Sequence, residues 1–268
     1  MKSLEEKLNN LGVEPFVFMI TLEDYLNSDD FSGVNEEDVV NIEGIKVNKF
    51  DPIKSKDNTF YELLHKLDGI SYGDKSLAAP KWVFADFMYH TYLVGVATTL
   101  SDAKNIGQEK VHKLLKEVPC GYDGLVPLSF YSAVIAPNEI FGNSMASIYG
   151  GKGLGLLTKK IGIEPWKAHK KISGFIQADN SSVISHSKIS PLEIVAPNFT
   201  FLHGTPLSMK YTHAFEEVVG EDIWLSFDED IREFLNQKQI EREQNKNKLY
   251  IVSPAIKEDK VLFRVKYL

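Results

Sequence analysis

Along the first 60 residues, apolar and polar positions keep no sustained period. A short amphipathic start (3–10) leads into the acidic "DYLNSDDFSGVNEEDVV", and "DNTFYELLHKL" closes the region. The spacing predicts short helices near 3–10 and 58–66, with loop between them. "KWVFADFMYHTYLVGVATTL" (81–100) is rich in β-branched and aromatic residues and predicts one or two strands. In "IGQEKVHKLLKEV", Val111, Leu114, Leu115 and Val118 recur at helical spacing until Pro119 ends the helix. "GLVPLSFYSAVIAP" (124–137) and "NSMASIYGG" read as strands running into a glycine-rich loop. From 172 onward the pattern is a strand series: "ISGFIQAD", "SSVISHSKIS", "PLEIVAPNFTFLHG" and "PLSMKYTHAFEEV". Asp-Asn-Ser, Ser-Pro and Gly-Thr-Pro turn signals separate these segments. "FDEDIREFLNQKQIEREQ" predicts a helix with an acid-rich first turn, and "KLYIVSPA" and "KVLFRVKYL" predict two last strands. With no internal repeat or linker, the expected architecture is one α+β domain (1–268). It is mostly β, built on a large antiparallel sheet, with a divergent N-terminal region (1–80).

Composition narrows the function classes. The chain has 268 residues, 43% of them hydrophobic, and one cysteine, so it can bury a core without disulfide staples. Cys120 is expected to be a free, buried thiol in a reducing compartment. The "MKSLEEKLNN" start shows no apolar signal region, and no apolar run approaches the roughly 18 residues of a membrane span. A formal charge of −7 gives no general attraction to nucleic acid. These features predict a soluble cytoplasmic protein with neither membrane nor nucleic-acid partners. The seven histidines do not fall at metal-ligand spacing, and His203 and His213, in predicted strands, read as structural. "NSDDFSGVNEED" offers the oxygens that calcium prefers but lacks the ligand spacing, so it reads as a solvated stretch. Neither a metal nor a cofactor is expected.

The densest chemistry lies in "GGKGLGLLTKKIGIEP" (150–165). Its glycines would let backbone N–H groups approach a phosphate. However, Gly151-Lys152 is followed by Gly153 rather than the Ser or Thr of a P-loop, and position 156 is Leu rather than the last glycine of a dinucleotide loop. An acyl-CoA-dependent acyltransferase that holds pyrophosphate at Gly153 and Gly155 stays open. It would require a strand–loop–helix over 144–162. The lysines suggest other chemistry. A lysine near its usual pKa of about 10.4 is protonated and unreactive, whereas burial or a neighbouring cation favours the free amine, which forms a Schiff base with a ketone. Adjacent positions on a helix diverge by about 100°, so Lys159-Lys160 works only if the backbone brings the two heads together or one of them is buried.

This segment resembles the active-site stretch of the acetoacetate decarboxylase family. Gly151 and Lys159 stand at that family's spacing between motif glycine and Schiff-base lysine. Lys160 matches the neighbouring lysine that depresses its pKa, and Ile161-Gly162 matches the Leu-Gly that follows. The similarity extends over 124–268, through "ISGFIQADNSSVISHSKI", "APNFTFLHGTP" and the closing strand, helix and two strands. The sequence departs from the pattern where Lys152, Gly153 and Thr158 replace Arg, Glu and Pro. The resemblance implies a large antiparallel sheet curled into a cone, or double-barrel-like fold, with peripheral helices and the lysine pointing inward. It also implies a homo-oligomer acting on a small keto acid, as a decarboxylase or related carbon–carbon lyase. Lys159 and Lys160 would be catalytic, and Gly151 and Lys152 would line the substrate site. Asp123 in "GYDG", or else Glu139, would supply the family's upstream acid. A non-catalytic small-ligand-binding protein of the same fold is the alternative of another class.

Overall fold

The computed structural model describes residues 4–21, 39–50, 58–73, 78–82, 92–149, 153–177, 182–199, 208–226, 248–257 and 260–267, with a few helical positions between 233 and 241. Residues 150–152 lie outside them. The chain divides into two compact units, Met1–His169 and Lys170–Leu268.

In the first unit, helix α1 (Leu4–Asn9) precedes strand β1 (Phe16–Ile20). The hairpin β2 (Val39–Ile42) and β3 (Ile45–Phe50) follows, then helix α2 (Asn58–Tyr72) and strand β4 (Tyr92–Thr99). Short helices α3 (Leu100–Lys104) and α4 (Glu109–Leu115) lead to the long hairpin β5 (Leu125–Ile135) and β6 (Glu139–Ser147), and helix α5 spans Leu154–Ile163. The strand order is β6-β5-β4-β1-β3-β2. β1 pairs parallel with β3 while the other described pairs of this unit are antiparallel, so the expected antiparallel sheet is in fact mixed. The expected loop between the first two helices is likewise corrected, since it carries β1, β2 and β3. Glu43 (φ 49°) and Gly44 (φ 85°) make the two-residue turn between Ile42 and Ile45. Asn41 supports that turn by accepting a 2.8 Å hydrogen bond from the Gly44 N–H. Asp102 N–H donates to the hydroxyl of Thr99 at 3.1 Å and starts α3 immediately after β4.

Cross-strand partners share a face of a sheet. Gly95 pairs with both Phe18 and Phe130, and Phe18 meets Phe60 of α2 edge-on at 5.0 Å. The opposite face carries Val96, Ser129 and Ser147 in register, with Tyr131 opposite Met145. There Ser129 reaches Thr158 of α5 at 2.5 Å. Helices therefore cover both faces of the central strands. This arrangement explains why β4 and β5 are buried almost throughout rather than at alternate residues.

In the second unit the order is β10-β12-β11-β8-β9-β7, and the described pairs are antiparallel. The strands are β7 (Lys171–Ile176), β8 (Leu192–Phe199), β9 (Ser208–His213), β10 (Glu221–Ser226), β11 (Leu249–Lys257) and β12 (Lys260–Tyr267). Its core joins Ile176, Val183, Leu192, Ile194, Met209, Tyr211, Leu249 and Ile251. The segment "SSVISHSKIS", expected as a strand, instead contains helix α6 (Ser182–Ser187), which buries Val183 and His186. Cys120 is exposed rather than buried, because it lies in the turn that follows Pro119. Among the described residues no helix is long and apolar enough to cross a membrane. No group of three His, Cys, Asp or Glu side chains among them is placed to hold a metal ion.

Candidate functional site

Helix α5 starts at Gly153, whose φ of 69° lies in the left-handed region where a side chain would be strained. The helix buries Leu154, Leu157, Ile161 and Ile163 together with Thr158, Lys159 and Gly162. Burying four aliphatic side chains contributes about 8 kcal/mol, enough to carry one uncharged amine under cover. Thr158 donates to the Leu154 carbonyl at 2.9 Å. Its single hydroxyl proton is thereby used, so Ser129 is the donor in the Ser129–Thr158 bond. This hydroxyl chain fixes the rotation of α5 over β5.

Two glycines set how closely α5 approaches the sheet. A Cβ at Gly162 would stand 2.6 Å from Cδ1 of Tyr131, so the Tyr131 ring lies directly against the helix backbone. A Cβ at Gly155 would lie 3.4 Å from Cβ of Ser147 and 4.0 Å from the sulfur of Met145. Lys159 follows Gly155 by one turn on the same face, and side chains on a helix lean toward its N-terminus. The Lys159 side chain reaches Tyr131 of β5. Its Nζ lies over the Tyr131 ring, 5.7 Å from the centroid, and the residue is only 1% exposed.

Burial pushes the Lys159 amine well below the usual lysine range. Lys160 contributes nothing to that shift. It is half-buried on another side of the helix, where burial and the nearby Lys7 lower its own pKa and Glu43 opposes them. Glu43, Glu164 and Lys167 form a surface ion-pair group in that direction. Apolar cover, rather than a second cation, is what depresses the Lys159 pKa.

The remaining expected site residues are scattered. Asp123 is exposed in the turn before β5. Glu139 opens β6 at its hairpin with β5, where its backbone exchanges hydrogen bonds with Ala136. Six residues of strand, about 20 Å, separate it from Met145 opposite Tyr131. Gly151 and Lys152 lie outside the described residues.

No family model matches the chain, and no curated protein matches it.

Two polar atoms on this face of the sheet were not picked out by sequence reasoning. The Tyr131 hydroxyl and the Ser147 hydroxyl are both buried with no hydrogen-bond partner. Burial holds the Tyr131 phenol firmly in its protonated form. A buried amine with a depressed pKa thus lies over the ring of Tyr131, on the sheet face that also carries Ser147, and both hydroxyls have unmet hydrogen-bonding capacity, an arrangement suited to receiving a carbonyl group. The only sequence signal for it was the spacing of serine, tyrosine and lysine on elements whose facing sides were unknown. β6 ends at Ser147 and α5 begins at Leu154, on either side of residues 150–152, which lie outside the described residues.

Proposed function

We propose that the protein is a Schiff-base enzyme in which Lys159 attacks the keto group of a small keto acid. Decarboxylation or a related carbon–carbon cleavage would follow through an enamine. The observation that carries this reading is the complete burial of Lys159, which pushes its amine well below the usual lysine range and so toward the uncharged, nucleophilic form. An imine formed there acquires a positive nitrogen over the face of Tyr131, and an aromatic face stabilises a cation. That positive nitrogen is the electron sink that lets CO2 or a carbon fragment leave without its bonding pair. The same reading carries the curled, cone-like sheet and the homo-oligomer of the resembled family.

Borohydride reduction in the presence of acetoacetate is expected to fix a stable adduct on Lys159, located by peptide mass spectrometry. Lys159→Ala should abolish both adduct and turnover, and Lys159→Met, which fills the same space, should do the same. Turnover retained in either variant sinks the mechanism. A second reading, an acyltransferase holding CoA at Gly153 and Gly155, is supported by the order of strand β6 and then helix α5. It requires saturable CoA binding by calorimetry, which the Schiff-base reading does not.

A further inference from the structure

The Schiff-base reading leaves the two buried hydroxyls unused, and they bear on how a ligand would be held. Tyr131 is 2% exposed, its ring is fixed against α5 at Gly162, and its Oη has no hydrogen-bond partner. Ser147 stands on the same face two positions beyond Met145, the register partner of Tyr131. Its Oγ is likewise buried and without a partner. Leaving a buried hydroxyl unpaired costs about 1–3 kcal/mol, so two of them on the sheet face that α5 covers point to an occupant that accepts hydrogen bonds. An occupant that accepted from both would carry two oxygen acceptors.

We infer that Tyr131 is the hydrogen-bond donor to the reacting carbonyl oxygen and that Ser147 donates to a second oxygen of the same ligand, which makes the ligand class a small ketone bearing a carboxylate or second carbonyl. This inference rests on the reading of Lys159 as an imine-forming amine. In the first step the Nζ lone pair forms the C–N bond, and the carbonyl π pair moves onto the oxygen held by Tyr131. A proton of the new ammonium then passes to that oxygen through the Tyr131 hydroxyl, which gives up one proton and takes one back. Expulsion of the resulting hydroxyl, with one proton from the medium, releases water and leaves the iminium. The hydroxyl acts as a pre-placed donor toward charge that appears only during reaction, an effect on the order of 100-fold when one such donor is lost.

The test compares wild type, Tyr131→Phe and Ser147→Ala by the rate of borohydride trapping at Lys159, with acetone and acetoacetate as probes, alongside thermal melting. Tyr131→Phe should slow trapping of both probes by about 100-fold. It should leave the pH midpoint of trapping where burial sets it, and it should melt no lower than wild type, because the hydroxyl it loses has no partner. Ser147→Ala should slow trapping of acetoacetate and leave acetone unchanged. If wild type traps neither probe at Lys159, the Schiff-base reading itself falls. If wild type traps both and Tyr131→Phe traps them equally fast, the Schiff-base reading stands and the donor role of Tyr131 is overturned. A lower melting temperature in Tyr131→Phe would show that the hydroxyl serves the fold and would also overturn the inference. Equal slowing of both probes in Ser147→Ala would remove the second-acceptor assignment.

Discussion

Each unit buries a small cluster of polar side chains, and the two clusters can be set side by side. In the second unit, Ser190 lies 2.8 Å from Nδ1 of His213, and Tyr211 lies 3.3 Å from Nδ1 of His186. The rings pack edge-on, with Tyr211 and His213 at 5.4 Å between centroids. Each hydroxyl there has an imidazole to bond, and the group sits against an aliphatic core. In the first unit, Lys159, Tyr131 and Ser147 share one face of the sheet, yet the two hydroxyls have no partner. Hydroxyls bonded to neighbouring imidazoles serve the fold, whereas hydroxyls left open near a buried amine have to be justified by something that arrives. That contrast, rather than any single motif, separates a structural cluster from a candidate site.

The largest expected effect is at Lys159. Its folded-state pKa is depressed, so between that depressed value and the ordinary lysine value the unfolded chain binds more protons than the folded one. Stability should therefore rise with pH across that window, and the cost of burying the amine is felt in full below it. Lys159→Met removes the titrating group and should raise stability at pH 7 by about 2 kcal/mol. The variant should also flatten the alkaline rise. Denaturant melts at pH 7 and pH 10 check both. A Lys159→Met protein less stable than wild type at pH 7 would mean that the amine serves the fold and that the two clusters are alike.

Next in size is a matched pair of hydroxyl deletions. Ser190→Ala leaves a buried imidazole nitrogen without its partner and should cost about 1–3 kcal/mol. Ser147→Ala removes a hydroxyl that bonds nothing and should change stability by less than about 0.5 kcal/mol in the unliganded protein. Urea unfolding of the two variants sharpens the comparison directly. Equal losses would show that both hydroxyls do the same structural work.

The parts of the molecule that patterning made legible are those with a long, uninterrupted signal. The β-branched run ending at Thr99, the hairpin strands around 125–147, the helix of Val111 and Leu114, and the last two strands all stand where apolar spacing put them. The misses have local causes. Strands β1, β2 and β3 have six residues or fewer and flank a strongly acidic stretch, so their short apolar runs were masked by their neighbours. Helix α6 was missed because Val183 and Ile184 favour strands in isolation, and burial of Val183 and His186 overrides that preference. The site was legible only in part. A Lys-Lys pair on a helix says that the two heads diverge, but it cannot say which one goes inside. Burial on both faces of β5 also erases the alternation that would have shown where Tyr131 points.

The smallest expected effect bears on that same pair of lysines. If apolar cover alone depresses the Lys159 pKa, removing the charge of Lys160 should leave the Lys159 titration unmoved. Lys160 is half-buried beside Lys7 and Glu43, on a different side of α5, and Lys159 owes its depressed pKa to burial. Lys160→Gln should therefore shift the pH midpoint of borohydride trapping at Lys159 by less than about 0.3 unit and change stability by less than about 0.5 kcal/mol. A second cation acting through space would behave otherwise. Two ammonium groups near 4 Å, even at an effective dielectric constant of 20, repel by about 4 kcal/mol, so losing one would raise the midpoint by several units. The two outcomes differ by far more than the error of a pH profile. A large upward shift in Lys160→Gln would return the activation of Lys159 to its neighbour. An unmoved midpoint assigns it to the aliphatic side chains of α5 and the ring of Tyr131.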